Sequence, residues 1–399
     1  MSSKKIINCF INFRNFLKKS IKKDIGLHEP EISLNDKKNV LDCLNSTYVS
    51  TAGKYVKIFE KKINKLTKSK YVIALNSGTS ALHLALKSIN VCEDTYVIMS
   101  PITFVATGNA VKYNNAKILF VDVDLKNYGM CPDALERVLK RIALVKRNYC
   151  LYKKDKKRIS CILPTHVFGI SCDITKIKKI ADKFKIPIVE DAAEALGSFY
   201  KGKHLGLFGK VGILSFNGNK IITTGSGGAI ITNSKRIYDK IYHLASVSKK
   251  NHPWKFYHDE VGYNYRMNNI SAALGVAQIS KIKFKIKYKK KLHQLILKKF
   301  LKLKNDIEFY KPNINLLKWN YWLISLKIKN SLKVRNEILD DFNKNGIQIR
   351  PLWEPLNTLP HFKNDIKFNL KNSTELYNET ILLPSSPQLY KKIVNDKKF

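Results

Sequence analysis

The chain has 399 residues, 44% of them hydrophobic, enough to fill a substantial core, which excludes global disorder. Lysine and arginine outnumber the acids by 72 to 31, a formal charge of +41; the excess runs along the whole chain, so no dedicated nucleic-acid site is expected. The 7 cysteines show no CxxC pair and no His/Cys spacing suited to zinc, which argues against a disulfide framework and indicates no metal site.

The first element is a basic extension over residues 1–24. Ile6, Phe10, Phe13, Leu17 and Ile21 recur at helical spacing, surrounded by lysines and Arg14, with no acid before Asp24. No apolar run reaches the roughly 20 residues needed to span a bilayer. An amphipathic helix of this kind lies on a membrane surface, serves as a targeting segment or packs on the body, and the sequence leaves the three open. The rest of the protein is expected in the cytoplasm.

From about residue 70 short apolar strands alternate with helical stretches. Strands are expected at Tyr71 to Leu75, Thr95 to Met99, Ile118 to Val123, Ser160 to Pro164, Ile186 to Glu190, Gly212 to Phe216 and Ala229 to Thr232. A helix follows the first at Ala81 to Ile89, and Ile174 to Phe184 forms another. The basic stretch Val145 to Arg158 has no helical period and reads as a surface hairpin or loop. After about Ile279 lysine-rich helix takes over, with strands expected at Tyr321 to Ile328 and Gly346 to Arg350. The fold class is α/β, with a large domain of mostly parallel sheet over residues 25–278 and a smaller C-terminal α/β domain over 279–399.

Three segments carry chemistry. Gly78, Thr79 and Ser80 fall where a strand turns into a helix, so backbone N–H groups, hydroxyls and the helix dipole can hold a phosphate. Asp191 and Glu194 follow an apolar strand, where a carboxylate can pair with a protonated pyridine nitrogen. Lys220 lies in a polar, glycine-containing turn after the strand that includes Ser215. A phosphate cup, a strand-end carboxylate and a lysine in such a turn are the parts that a pyridoxal-phosphate (PLP) enzyme requires.

Order and wording add a family likeness. NSGTSALHLAL, SPITFVATGNAV, VDVD, PTHVFG, VEDAAEALGS, SFNGNKIITTGSGGAIIT and GYNYRMNNISAALG together resemble the DegT/DnrJ/StrS aminotransferases, from about Leu27 to Ser386. The resemblance implies a fold type I PLP-dependent transferase. It implies Lys220 as the lysine that carries PLP as a Schiff base, Asp191 as partner of the ring nitrogen, and Phe104 stacked on the ring. Gly78, Thr79 and Ser215 would hold the phosphate. Asn264 would reach the phosphate bound by a second subunit, so a homodimer with shared active sites is expected. Glu194 stands where many relatives carry Gln or His beside the cofactor. His166 is either close to the cofactor or a core histidine.

A narrower likeness, in GLHEPEISLNDKKNVLDCLNSTYVSTAGKYVKIFE, RPLWEPLN and LPSSPQL, is to the branch that makes UDP-linked 4-amino sugars. It implies transfer of an amino group, with L-glutamate as donor, to C4 of UDP-2-acetamido-2,6-dideoxy-hexos-4-ulose. Arg350 and Trp353 are the candidates for gripping the sugar nucleotide. A GDP-linked 4-keto-6-deoxy sugar, of perosamine type, is the alternative substrate. The reading from another class is a catalytically degenerate PLP fold that binds polyanions.

Overall fold

The strand Tyr71–Leu75 forms over the expected residues, because its β-branched and aromatic side chains fit a pleated, two-sided surface and Asn76-Ser77 then break the ladder. The structure, a computed structural model, describes residues 3–329 and 331–395. Tyr71–Leu75 stands at one edge of the central sheet, followed by Gly228–Thr232, Val211–Ser215 and Val189–Asp191. Parallel bridges Ile162↔Ile188 and Thr165↔Asp191 join these to Ile159–Leu163, Tyr96–Met99, Lys117–Phe120 and, at the far edge, Ile366–Lys367. Every pairing is parallel except the two made by Gly228–Thr232. The expected mostly parallel sheet is therefore present, and its last strand comes from beyond residue 279.

Alternate residues of these strands face opposite layers, as the two-residue period requires. Ile73, Leu75, Val97, Ile118 and Ile213 pack with Leu82, Leu86 and Ile241 of helices Gly78–Ser88 and Lys235–Ala245. On the other face, Tyr96, Ile98, Leu119 and Ile162 pack with Leu135 and Ile177 of Pro132–Ile142 and Ile174–Lys183. Burial on both faces is why these strands read as continuous apolar runs.

The stretch after Ile142 is a hairpin, Ala143–Val145 against Cys150–Tyr152, with Tyr152 edge-on to Tyr96 at 5.1 Å. Near the C-terminus an antiparallel sheet runs in the order Ile307–Phe309, Ile324–Ile328, Thr380–Leu383, Arg350–Pro351. The strand expected over Gly346 to Arg350 is displaced to Arg350–Pro351. Ile347 instead bridges Ile25, and Ile347 and Ile349 are drawn into the core.

The N-terminal helix Ser3–Ser20 docks here. Ile6, Phe10, Phe13 and Leu17 are buried, with Phe10 at 4.8 Å from Phe300 and 6.1 Å from Phe342, centroid to centroid. Arg14 pairs with Asp341. The apolar stripe that a membrane-surface helix would insert into lipid is thus spent inside the protein, at a gain of about 1.5–3 kcal/mol per side chain. Of the three readings of this extension, packing on the body is the one the contacts show. No described helix is long and apolar enough to cross a membrane.

Candidate active site

The C-terminal ends of the parallel strands are where α/β sheets gather ligands, and Leu75, Asp191 and Ser215 end three strands there. Around them lies a cavity of about 280 Å³. Gly78, Thr79, Phe104, Asp191, Glu194, Ser215, Lys220 and Trp353 all border it. Eight residues read from separate parts of the sequence are brought to one place.

At one end is the anion cup. Ser77 caps helix Gly78–Ser88 in extended conformation, its hydroxyl accepting from Ser80 N. Helix geometry leaves the N–H groups of Gly78 and Thr79 for a ligand, and the Ser215 hydroxyl adds a side-chain partner. A Cβ on Gly228 would stand 2.4 Å from Ser77 O and 2.6 Å from Gly78 N, so only glycine lets the neighbouring strand approach. Ser80 departs from its expected role as a phosphate contact. Its N–H is committed to Ser77 Oγ at 3.0 Å and its hydroxyl to Asn76 Oδ1 at 2.6 Å. It faces the adjoining recess beside Asn268 and Ser271, making it part of the cap.

At the other end is the carboxylate. Asp191 is buried; Oδ2 accepts from Thr107 Oγ1 at 2.6 Å and Oδ1 from Ala193 N at 3.1 Å. Burial raises its carboxyl above the ordinary range, opposed by the bond from Thr107. Glu194 accepts from Phe168 N at 2.7 Å and lies 3.3 Å from Lys220 Nζ. Burial pushes the Glu194 carboxyl up to about 7, against the pull of Lys220.

Lys220 borders the same cavity, its Nζ also 4.0 Å from the centroid of Trp322. The turn that carries it is pinned by Lys220 N to Asn217 O at 2.9 Å and by Trp322 Nε1 to Asn219 O at 2.8 Å. Phe104 caps helix Val105–Tyr113 and remains 54% exposed although it borders the cavity, leaving an aromatic face for a planar ring. Trp353 packs 5.2 Å from Phe168 on the same rim.

Of the remaining candidates, Arg350 and His166 do not border the cavity, and Asn264 is expected at a second subunit's phosphate, not at that of its own chain. Arg350 is exposed, its backbone paired with Leu382 and its guanidinium donating to Asn343 Oδ1 at 3.2 Å; the strand register turns it away. Asn264 is exposed on its own chain, its carbonyl accepting from Asn76 Nδ2 at 3.4 Å. His166 is a core histidine, its Nε2 at 2.9 Å from Glu190 Oε2 in full burial. Conversely, Thr107, Trp322, Asn217 and Asn219 border the cavity without having been singled out. Thr107 and Asn217 stood inside motifs already marked, whereas Trp322 comes from the far end of the chain with no local signal. Among the described residues His243, Asp259 and Glu260 bring three ligating atoms within 4.8 Å, but Lys250 occupies Asp259 at 2.7 Å.

The donor set fits PLP: N–H donors for a phosphate, a lysine amine, a bare aromatic face and a buried carboxylate, in one cavity of suitable chemistry. Comparison with known proteins agrees. A profile of the DegT/DnrJ/EryC1/StrS aminotransferase family matches residues 30–396. The GDP-perosamine synthase of Escherichia coli O157:H7 is 32% identical over 92% of this chain and 94% of its own. The UDP-4-amino-4,6-dideoxy-N-acetyl-beta-L-altrosamine transaminase of Campylobacter jejuni is 28% identical over 88% and 89%. Among solved structures, Helicobacter pylori PseC, an aminotransferase involved in the biosynthesis of pseudoaminic acid, superposes with a TM-score of 0.81. It is 25% identical, over 94% of this chain and all of that one.

Proposed function

Since the chain belongs to the DegT/DnrJ/EryC1/StrS aminotransferase family and is a PLP-dependent sugar aminotransferase, we propose that it aminates C4 of a nucleotide-linked 4-keto-6-deoxy sugar, with L-glutamate as donor. The observation that carries this is the convergence of Lys220, Asp191 and the Gly78–Thr79 cup on one cavity. PLP, when bound, supplies an electron sink for the carbanion formed at the donor's α-carbon.

The chain's own residues do the rest. Gly78, Thr79 and Ser215 would hold the phosphate, Phe104 would offer a ring face, and Asp191 would accept from the ring nitrogen. Lys220 would hold the cofactor through its Nζ, and the same amine, when free, would take the proton from the donor's Cα and pass it on, ending in its starting protonation state. Glu194, poised to titrate at about 7, sits within reach of that amine. Trp353 and Trp322 border the same cavity and offer ring faces to a sugar.

The narrower sequence likeness favours a UDP-2-acetamido sugar. The 32% identity to a GDP-perosamine synthase, against 28% to a UDP-sugar transaminase, favours a GDP-linked sugar. A homodimer is part of the proposal: Trp254 and Phe256 are 75% and 82% exposed, large apolar groups that a second copy would cover, near the segment bearing Asn264.

The test incubates purified protein with L-glutamate and either UDP- or GDP-linked 4-keto-6-deoxy sugars, with products read by mass. An amino sugar from one nucleotide series is expected, lost together with the violet absorbance of bound PLP in Lys220→Ala. PLP retained without any amino-sugar product would defeat the substrate reading.

A further inference from the structure

Asp191 is held by a chain of hydroxyls. Thr107 Oγ1 donates to Asp191 Oδ2 at 2.6 Å, so its single proton is committed to the carboxylate. Its oxygen must then accept in the 2.8 Å contact with Thr103 Oγ1, which commits the proton of Thr103. Thr165 Oγ1 in turn donates to Thr103 at 3.1 Å. Three protons point one way, into one carboxylate oxygen. The three side chains come from different elements: Thr107 from helix Val105–Tyr113, Thr103 from the loop before it, and Thr165 from beyond strand Ile159–Leu163. All are buried and all border the cavity.

An aligned chain of this kind polarises each member, so the last donor is stronger than an isolated hydroxyl. Burial favours the neutral form of Asp191, and donors to its oxygens favour the charged form. The other titratable groups acting on Asp191 are Lys220, His166 and Glu194. Among the described residues, only Thr107 Oγ1 and Ala193 N touch its side-chain oxygens as donors.

We propose that Thr107, backed by Thr103 and Thr165, is a positioning residue that holds Asp191 as an oriented carboxylate with a lone pair free for the ring nitrogen of PLP. The inference rests on the proposed pairing of Asp191 with that nitrogen. A core threonine serving only packing would tolerate valine, which has the same shape and lacks the hydroxyl.

The experiment compares Thr107→Val, Thr107→Ser and Asp191→Asn in the PLP-loaded protein. Two quantities are read: the dissociation constant of PLP, and the pH at which the violet band of bound cofactor changes. Thr107→Val is expected to weaken PLP binding by about tenfold or more, the loss of one bond to a charged group, and to move the spectral transition by about one pH unit. Thr107→Ser restores both. Thr103→Val, two bonds from the carboxylate, moves both in the same direction by less, and serves if Thr107→Val fails to fold. Wild-type values in the folded threonine-to-valine variants, with Asp191→Asn strongly impaired, overturn the proposal and leave the Asp191 assignment standing. If Asp191→Asn is also unaffected, the assignment itself is wrong.

Discussion

Glu194→Gln tests the electrostatics beside Lys220. Glu194 is 5% exposed, and its carboxyl titrates at about 7 in the folded chain against 4.5 for an ordinary glutamate. Burial is the main cause, with Lys220 opposing it. A group whose proton is held more tightly in the folded state stabilises the fold fully below its unfolded pKa. That contribution is lost as pH rises through the folded value. Across the window from 4.5 to about 7 the loss amounts to roughly 3 kcal/mol. Glutamine keeps an oxygen to accept from Phe168 N, now 2.7 Å from Glu194 Oε2, and does not titrate. Denaturant unfolding of both proteins, stripped of PLP and at one fixed concentration, should show the variant gaining on wild type as pH rises through this window. Above it the difference should level off. A difference that stays constant over the window would refute the reasoning, and one of opposite sign would mean that the Lys220 ion pair outweighs burial.

Three further outcomes are expected. Gly228→Ala should lower PLP retention, because the added Cβ would stand 2.4 Å from Ser77 O and push the cup open; equilibrium dialysis showing wild-type retention would contradict that packing. Phe10→Ala should cost about 3–5 kcal/mol in chemical denaturation, since Phe10 is fully buried between Phe300 and Phe342; a cost below about 1 kcal/mol would mean that the helix does not dock. Arg350→Ala should change KM for the sugar nucleotide by no more than about twofold, and a rise of about tenfold or more would return Arg350 to the substrate site.

Much of the site was legible because its parts sit at strand ends. Asp191 and Ser215 each close a run of buried apolar residues, and Gly78 opens a helix immediately after one, so position in the pattern implied position in space. Ser80 was not resolved by pattern, since a serine in the first helical turn serves equally as ligand contact or as cap. Arg350 depended on strand register, where one residue's slip reverses the face. Trp322 and Asn219 lie 103 residues apart, and nothing local announces that contact. The N-terminal stripe shows a different limit: amphipathic spacing reports an apolar neighbour without saying whether it is lipid or protein.

That stripe also sets an order of assembly. Ile6, Phe10, Phe13 and Leu17 share their core with residues from Leu292 to Ile393, so this helix is synthesised well before the partners it packs against. At ~5–20 residues per second of synthesis, the nascent helix waits on the order of 20 to 70 seconds with its apolar face uncovered. Throughout that interval the like charge of its many lysines opposes association with other chains, a service rendered before the protein has any substrate to bind.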